Sequence, residues 1–141
     1  MKLAIIEAKK AAEKGEVPVG AVIVKNGEVV AACHNLREEK QNALSHAEME
    51  AINIACQKLN SWRLDDCEMY VTLEPCPMCT GAIINSRIKT VIFGAYDNKM
   101  GCMDSVINLC DYPFNHKVEV YGGIMEDECL TVLQKFFKNL R

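Results

Sequence analysis

Apolar and polar positions along the chain follow first a helical period and then a strand period, and the two keep alternating to the C-terminus. Residues 3–14 carry apolar side chains at helical spacing and stop at Gly15, which predicts a first helix. Residues 19–24 and 28–33 are β-branched runs on either side of Asn26-Gly27. That dipeptide favours a two-residue hairpin turn, so the two strands are expected to be antiparallel neighbours. A polar loop, 34–44, leads to a second helix over 45–59. A third strand over 68–73 is broken by Pro75, followed by a third helix over 76–85 and a fourth strand over 90–93. The fifth strand, 117–121, comes about twenty residues later, with a short helix possible over 105–110. A parallel pair needs a crossover of about a dozen residues or more, whereas a hairpin needs only a few. Strands four and five are therefore expected to be parallel. Gly122-Gly123 closes the last strand, and 126–140 predicts a final helix. Elements in this order give an α/β fold, a three-layer α/β/α sandwich around a central mixed five-stranded sheet.

Length and composition narrow this picture without changing it. The 141 residues fit one domain, 1–141, with no linker, repeat or low-complexity tract. Half of them are hydrophobic, enough for a real core. The apolar run at 3–6 is too short for a signal-peptide core, and no stretch is long enough to cross a bilayer, so no membrane partner is expected. The chain is expected in the cytoplasm, where thiols stay reduced. Its eight cysteines are accordingly read as thiols and metal ligands rather than a disulfide framework. The net charge of −3 argues against a non-specific nucleic-acid binder. Distribution qualifies that sum, because Lys135, Lys138 and Arg141 fall among the last eight residues with no acid between them. By charge alone this is a solvated helix end whose cations complement the helix dipole.

Two short segments carry the chemistry: Ser45-His46-Ala47-Glu48 and Pro75-Cys76-Pro77-Met78-Cys79. Each opens a predicted helix. Cysteines three apart share a helix face, with β-carbons about 5–6 Å apart. Zinc needs that closeness, because its tetrahedral shell draws ligands to about 2.0–2.3 Å. A helix N-terminus also lowers thiol pKa and favours the thiolate that binds metal. Pro77 suits a first helical position, where its missing N–H has no intrahelical partner. Taken singly, each segment has a plainer reading. The Cys-x-x-Cys could be a redox pair or half of a structural zinc site, and Ser45-x-x-Glu48 matches a capping box. Together, H-x-E at 46–48 and P-C-x-x-C at 75–79 form the signature of zinc deaminases of nucleic-acid bases. His46, Cys76 and Cys79 are then three ligands of one Zn2+, leaving its fourth position open for chemistry. Glu48 becomes the group that moves protons between water, ring nitrogen and leaving amine.

Beyond that signature the chain resembles the tRNA-specific adenosine deaminases of the TadA type, within the cytidine deaminase-like superfamily. The residues that carry the resemblance run nearly end to end: 15–21, His34-Asn35, 46–48, 70–76, Ser86-Arg87-Ile88, Phe93-Gly94-Ala95, Asp97, Lys99, Gly101, Asn115-His116 and 136–141. The resemblance implies hydrolytic conversion of adenosine to inosine at the wobble position of a tRNA anticodon. It also implies a homodimer, and a tRNA anticodon stem-loop as partner. Asn35 matches the residue that hydrogen-bonds the purine, Ala47 lines the same pocket, and Asp97 matches a loop position near the RNA. Phe137, Lys138 and Arg141 would lie along the RNA, although phenylalanines here could equally pack on the sheet. Two stretches depart from the family. Asn42-Ala43-Leu44-Ser45 stands where Asp-Pro-Thr-Ala is usual, and Asp104-Ser105-Val106 where Gly-Ser-Leu is usual. They bear on substrate detail rather than on the ligands.

Two other functions compete with this one. A deaminase of a free base or nucleoside, guanine or cytidine, shares the zinc motif. The long crossover disfavours the cytidine enzymes, which usually join those strands by a short hairpin. A non-catalytic, zinc-stabilised RNA-binding subunit would need to lose the Glu or close the metal with a fourth side chain. Cys33, His34 and Cys102 are candidates for that by residue type only.

Overall fold

Asn26 and Gly27 both hold positive φ, 52° and 78°, in a computed structural model that describes residues 1–140. The two-residue turn that twists with its flanking strands requires this left-handed pair, and Asn and Gly adopt it at least strain. It joins β1 (Gly20–Lys25) to β2 (Glu28–His34) as an antiparallel pair, with Gly20 opposite His34. On its other edge β1 pairs antiparallel with β3 (Cys67–Leu73). β3 and β4 (Thr90–Ala95) are parallel, and so are β4 and β5 (Glu119–Tyr121). The sheet order is β2-β1-β3-β4-β5, mixed, as the crossover length required.

Helices cover both faces. α1 (Lys2–Glu13) precedes the sheet, and a single turn, α2 (Arg37–Lys40), follows β2. α3 (Ala47–Leu59) and α4 (Pro77–Asn85) pack together on one face, while α1 and α5 (Glu126–Asn139) pack together on the other. The strand period sorts the core accordingly. Ile23, Met69, Val71, Val91 and Phe93 join Ala51, Ala55, Ile83 and Ile84 under α3 and α4. A smaller cluster of Ile5, Ala95, Cys129 and Leu133 lies beneath α1 and α5. All six residues of β4 are buried, as expected for a parallel strand covered on both sides. No helix among the described residues is long and apolar enough to cross a membrane.

The structure differs from the sequence expectation in two loops. α2 forms inside the segment read as an irregular polar loop, because the buried Glu16 carboxylate accepts the N–H groups of Glu38 and Glu39 at 2.9 and 2.7 Å. The short helix expected over 105–110 is absent. The N–H groups of Met103, Asp104 and Ser105, leading into that stretch, bond to the Glu74 carboxylate, and Leu109 N–H bonds back to Cys102 O at 3.0 Å where a helix would direct it to Ser105 O. What remains is a bridge between Met103 and Asn108 and a 3-10 turn at Leu109–Asp111. In both loops a buried glutamate gathers backbone amides from a distant part of the chain.

Candidate active site

α3 and α4 begin beside each other, and their first turns build the site. His46 is the N-cap of α3, extended at φ −71° and ψ 155°, so Ala47 and Glu48 fall in the first turn. Cys76 is the N-cap of α4, extended at φ −74° and ψ 176°, with Pro77 opening the helix and Cys79 in its first turn. Pro77 thus sits where its lack of an N–H costs nothing. The capping box does not form, since no side chain caps α3. Glu48, only 4% exposed, is therefore free of that structural duty.

One ligand atom from each of His46, Cys76 and Cys79 lies within 4.8 Å of the others. His46 Nδ1 stands 3.7 Å from Cys76 Sγ and 3.6 Å from Cys79 Sγ. In a tetrahedral shell with Zn–N of about 2.05 Å and Zn–S of about 2.3 Å, nitrogen and sulfur ligands sit about 3.6 Å apart. The donor set and its spacing therefore fit the zinc expected from the sequence. Cys33, His34 and Cys102 stand outside the cluster, and His34 instead places Nδ1 3.2 Å from Glu7 Oε2. Among the described residues no fourth side chain closes the site.

Charge within the site is finely divided. A hydrogen bond from Cys79, with His46 beside it, lowers the Cys76 thiol to about 4 against the opposing effect of burial. The same bond and its own burial push Cys79 far up, so that the pair holds one proton between them. The hydrogen bond with Cys76 raises His46, with burial opposing. A cation between the three would relieve the repulsion that keeps the second thiol protonated. Burial raises the Glu48 carboxyl, which the neighbouring Cys76 thiolate reinforces and His46 offsets. A carboxyl displaced in that direction is closer to the pKa a proton shuttle needs near neutrality.

His46, Glu48 and Cys76 open onto a cavity of about 210 Å³, lined also by Asn35, Ala47 and Asp97, with Cys79 buried behind it. Asn35 is held from both ends: its Nδ2 donates to Val17 O at 3.3 Å, and its Oδ1 accepts Arg37 N–H at 3.2 Å. The Asp97 carboxylate accepts the N–H groups of Lys99 and Met100 at 3.0 and 3.2 Å, shaping its own loop. Sequence reading missed Val17, Val19, Arg37, Leu73, Glu74 and Met100 as lining residues. Val17, Val19, Leu73 and Glu74 fall inside stretches that carried the resemblance, whereas Arg37 and Met100 had no signal of their own. Phe137 and Lys138 are exposed on α5 and do not line the cavity. Phe137 meets Phe136 edge-on, with ring centroids 5.4 Å apart. Arg141 lies outside the described residues. Larger grooves of about 540 and 640 Å³ between α1 and α5 contain none of the three ligands.

A mixed sheet, a His/Cys/Cys cluster at two helix starts and a buried, non-ligating carboxylate together define a deaminase of the cytidine deaminase-like fold. The chain matches the MafB19-like deaminase family over residues 1–141. Within that class it belongs to the family of tRNA-specific adenosine deaminases. It is 55% identical over 142 residues to the tRNA-specific adenosine deaminase of Bacillus subtilis (strain 168), covering 100% of this chain and 88% of that protein. The enzyme of the same description from Aquifex aeolicus (strain VF5) is 51% identical, covering 100% of this chain and 93% of its own. A solved structure from work on A-to-I editing by tRNA deaminases at the wobble position of transfer RNA has a TM-score of 0.92 at 41% identity. The match spans 94% of this chain and 97% of that one.

Proposed function

We propose that this chain converts adenosine to inosine at the wobble position of a tRNA anticodon, by zinc-assisted hydrolysis in which Glu48 carries the protons. The observation that bears most weight is the set of three ligand atoms at tetrahedral spacing beside a buried glutamate that does not join them. His46, Cys76 and Cys79 would hold the zinc. When bound, zinc supplies Lewis acidity that brings the pKa of a water down towards about 7. Glu48 takes a proton from the attacking water and passes it to the ring nitrogen as the C6–O bond forms. It then takes the remaining proton from the new C6 hydroxyl and delivers it to the amine as the C6–N bond breaks and the C6 carbonyl forms. Water and adenosine thus give inosine and ammonia.

Asn35, fixed through Val17 O and Arg37 N–H, keeps one amide hydrogen and a lone pair for the purine edge. Ala47, next to the ligand His46 in the chain, and Asp97 both line the cavity. At about 210 Å³ the cavity is smaller than the roughly 300–1,000 Å³ of sites for drug-sized ligands, which suits one flipped base rather than a whole nucleotide. The remaining anticodon nucleotides would run over the surface, where α5 offers Phe137 for stacking and Lys138 for phosphates; Arg141, outside the described residues, would add a second cation by its sequence position. Exposed Val106, Ile107, Tyr112 and Phe114 supply apolar area for a homodimer. The enzyme would work in the cytoplasm as one domain.

The test offers the purified protein an anticodon stem-loop, free adenosine, guanine and cytidine. Inosine formed only in the loop is the expected result. Turnover confined to free bases would refute the RNA substrate.

A further inference from the structure

The cavity has two walls, and one of them hangs on a side chain that the reaction does not use. Glu74 is the residue after β3 and two before Cys76, and it is 2% exposed. Its Oε1 accepts Asp97 N–H at 3.1 Å and the Ser105 hydroxyl. Its Oε2 accepts the N–H groups of Met103, Asp104 and Ser105 at 3.1, 2.8 and 2.9 Å. No Lys or Arg is among these partners, so four backbone amides and one hydroxyl hold the carboxylate. Gly101 is fitted to it: a Cβ there would come 2.4 Å from Glu74 Cδ and 2.5 Å from Asp97 O. The next residue, Cys102, donates its N–H to Pro75 O at 2.9 Å. The segment carrying Asp97 and Met100, which form one wall, is therefore stitched at several points to the segment that presents Cys76.

We propose that Glu74 is a positioning residue, whose carboxylate holds the Asp97–Met100 wall of the pocket in register with Cys76 so that the incoming nucleotide meets a preformed surface. The inference rests on the function proposed above only for its kinetic readout. A loop whose amides are gathered by one buried anion loses little freedom on binding, which is how preorganisation raises affinity. Releasing it shifts the ordering cost to the moment of substrate binding. That cost appears in KM, whereas a residue that only stabilised the fold would reduce the active fraction and leave KM alone.

Glu74→Gln keeps the shape but places an amide NH2, a donor, where an acceptor is needed, and Ser105→Ala removes the hydroxyl while keeping all four amide bonds. For Glu74→Gln the expected results are three. Hydrogen exchange quickens at the amides of Asp97, Met103, Asp104 and Ser105, zinc content is unchanged, and KM for the stem-loop rises roughly tenfold, the worth of one charge-assisted hydrogen bond. kcat should change less than KM. Ser105→Ala should move exchange and KM the same way by less. Unchanged exchange, or a fall in kcat with KM constant, would overturn the proposal. If Glu74→Gln does not fold, Ser105→Ala decides, and parental KM and exchange in it would overturn the proposal. Should the parent protein leave the stem-loop untouched, the functional reading fails, while exchange at these four amides still decides whether Glu74 holds the wall.

Discussion

Replacing Glu48 by glutamine removes the proton carrier and almost nothing else. The side chains are of equal size, and Glu48 is 4% exposed at the base of the cavity, so bulk water cannot stand in at its position. General acid or base catalysis contributes about 10²–10⁴-fold in rate, and exclusion of water places this case in the upper part of that range. The expected fall in kcat is about 10³–10⁴-fold, or about 4–5.4 kcal/mol at about 1.36 kcal/mol per tenfold. KM should hold, since the shape of the cavity is kept. Metal content should hold too, because Glu48 is not one of the clustered ligands. Thermal stability should not fall, since burial already disfavours the charged carboxylate.

The assay follows inosine in an anticodon stem-loop under single-turnover conditions, with metal analysis and a thermal melt of the same preparation. Three readings separate the roles. Lost activity with full metal and an unchanged melt supports the shuttle. Metal loss would make Glu48 a ligand, and more than a tenth of parental activity at full metal would refute the proton role outright.

Cys79→Ala should deplete zinc, because Cys79 and Cys76 both stand at ligand spacing from His46; a full complement of metal in the variant would sink the ligand assignment. Arg37 lines the cavity without an ion-pair partner among the described residues, so Arg37→Ala should weaken stem-loop binding and lower the slope of log K against log salt by about 1. An unchanged slope would place Arg37 off the phosphates. Burial, with Glu128 nearby, pushes the Cys129 thiol up to about 11. At pH 8 its thiolate fraction is then about a thousandth, against about a tenth at the ordinary value of 9.0. Alkylation of Cys129 at pH 8 should thus speed up about a hundredfold on unfolding, and equal rates in folded and unfolded protein would contradict the buried setting.

Local signals gave the sequence reading its successes. Asn26-Gly27 encodes its turn in two residues, and the connection of about twenty residues between strands four and five is long enough for the parallel pair. His46, Glu48, Cys76 and Cys79 stand within four residues of a helix start, so periodicity places each at the start of its own helix, and the H-x-E and P-C-x-x-C pattern joins the two. Asn35 was found through resemblance, and the structure adds why it is rigid. Arg37 and Met100 escaped because nothing in a sequence window says which loop residues will line a cavity. The short helix that 105–110 could have formed is absent for a long-range reason: Glu74 gathers the amides of residues 103–105 from 29 to 31 residues away, and Leu109 N–H, which a helix would direct to Ser105 O, bonds to Cys102 O instead.

The same cause governs both walls of the site. Glu16, 1% exposed, captures the amides of Glu38 and Glu39 and so seats α2, which carries Arg37; Glu74 does the equivalent for the Asp97–Met100 side. A sequence window registers each only as a glutamate among apolar residues, because the amides that satisfy it belong to another part of the chain. This division explains the departures from family pattern as well. Asp104 offers Glu74 only its backbone N–H, which glycine would offer equally, while Ser105, whose hydroxyl is used, matches the usual residue. Side chains at 104 can therefore change without disturbing the carboxylate's partners. Position 101 has no such latitude, because any Cβ there would strike Glu74 and the Asp97 carbonyl.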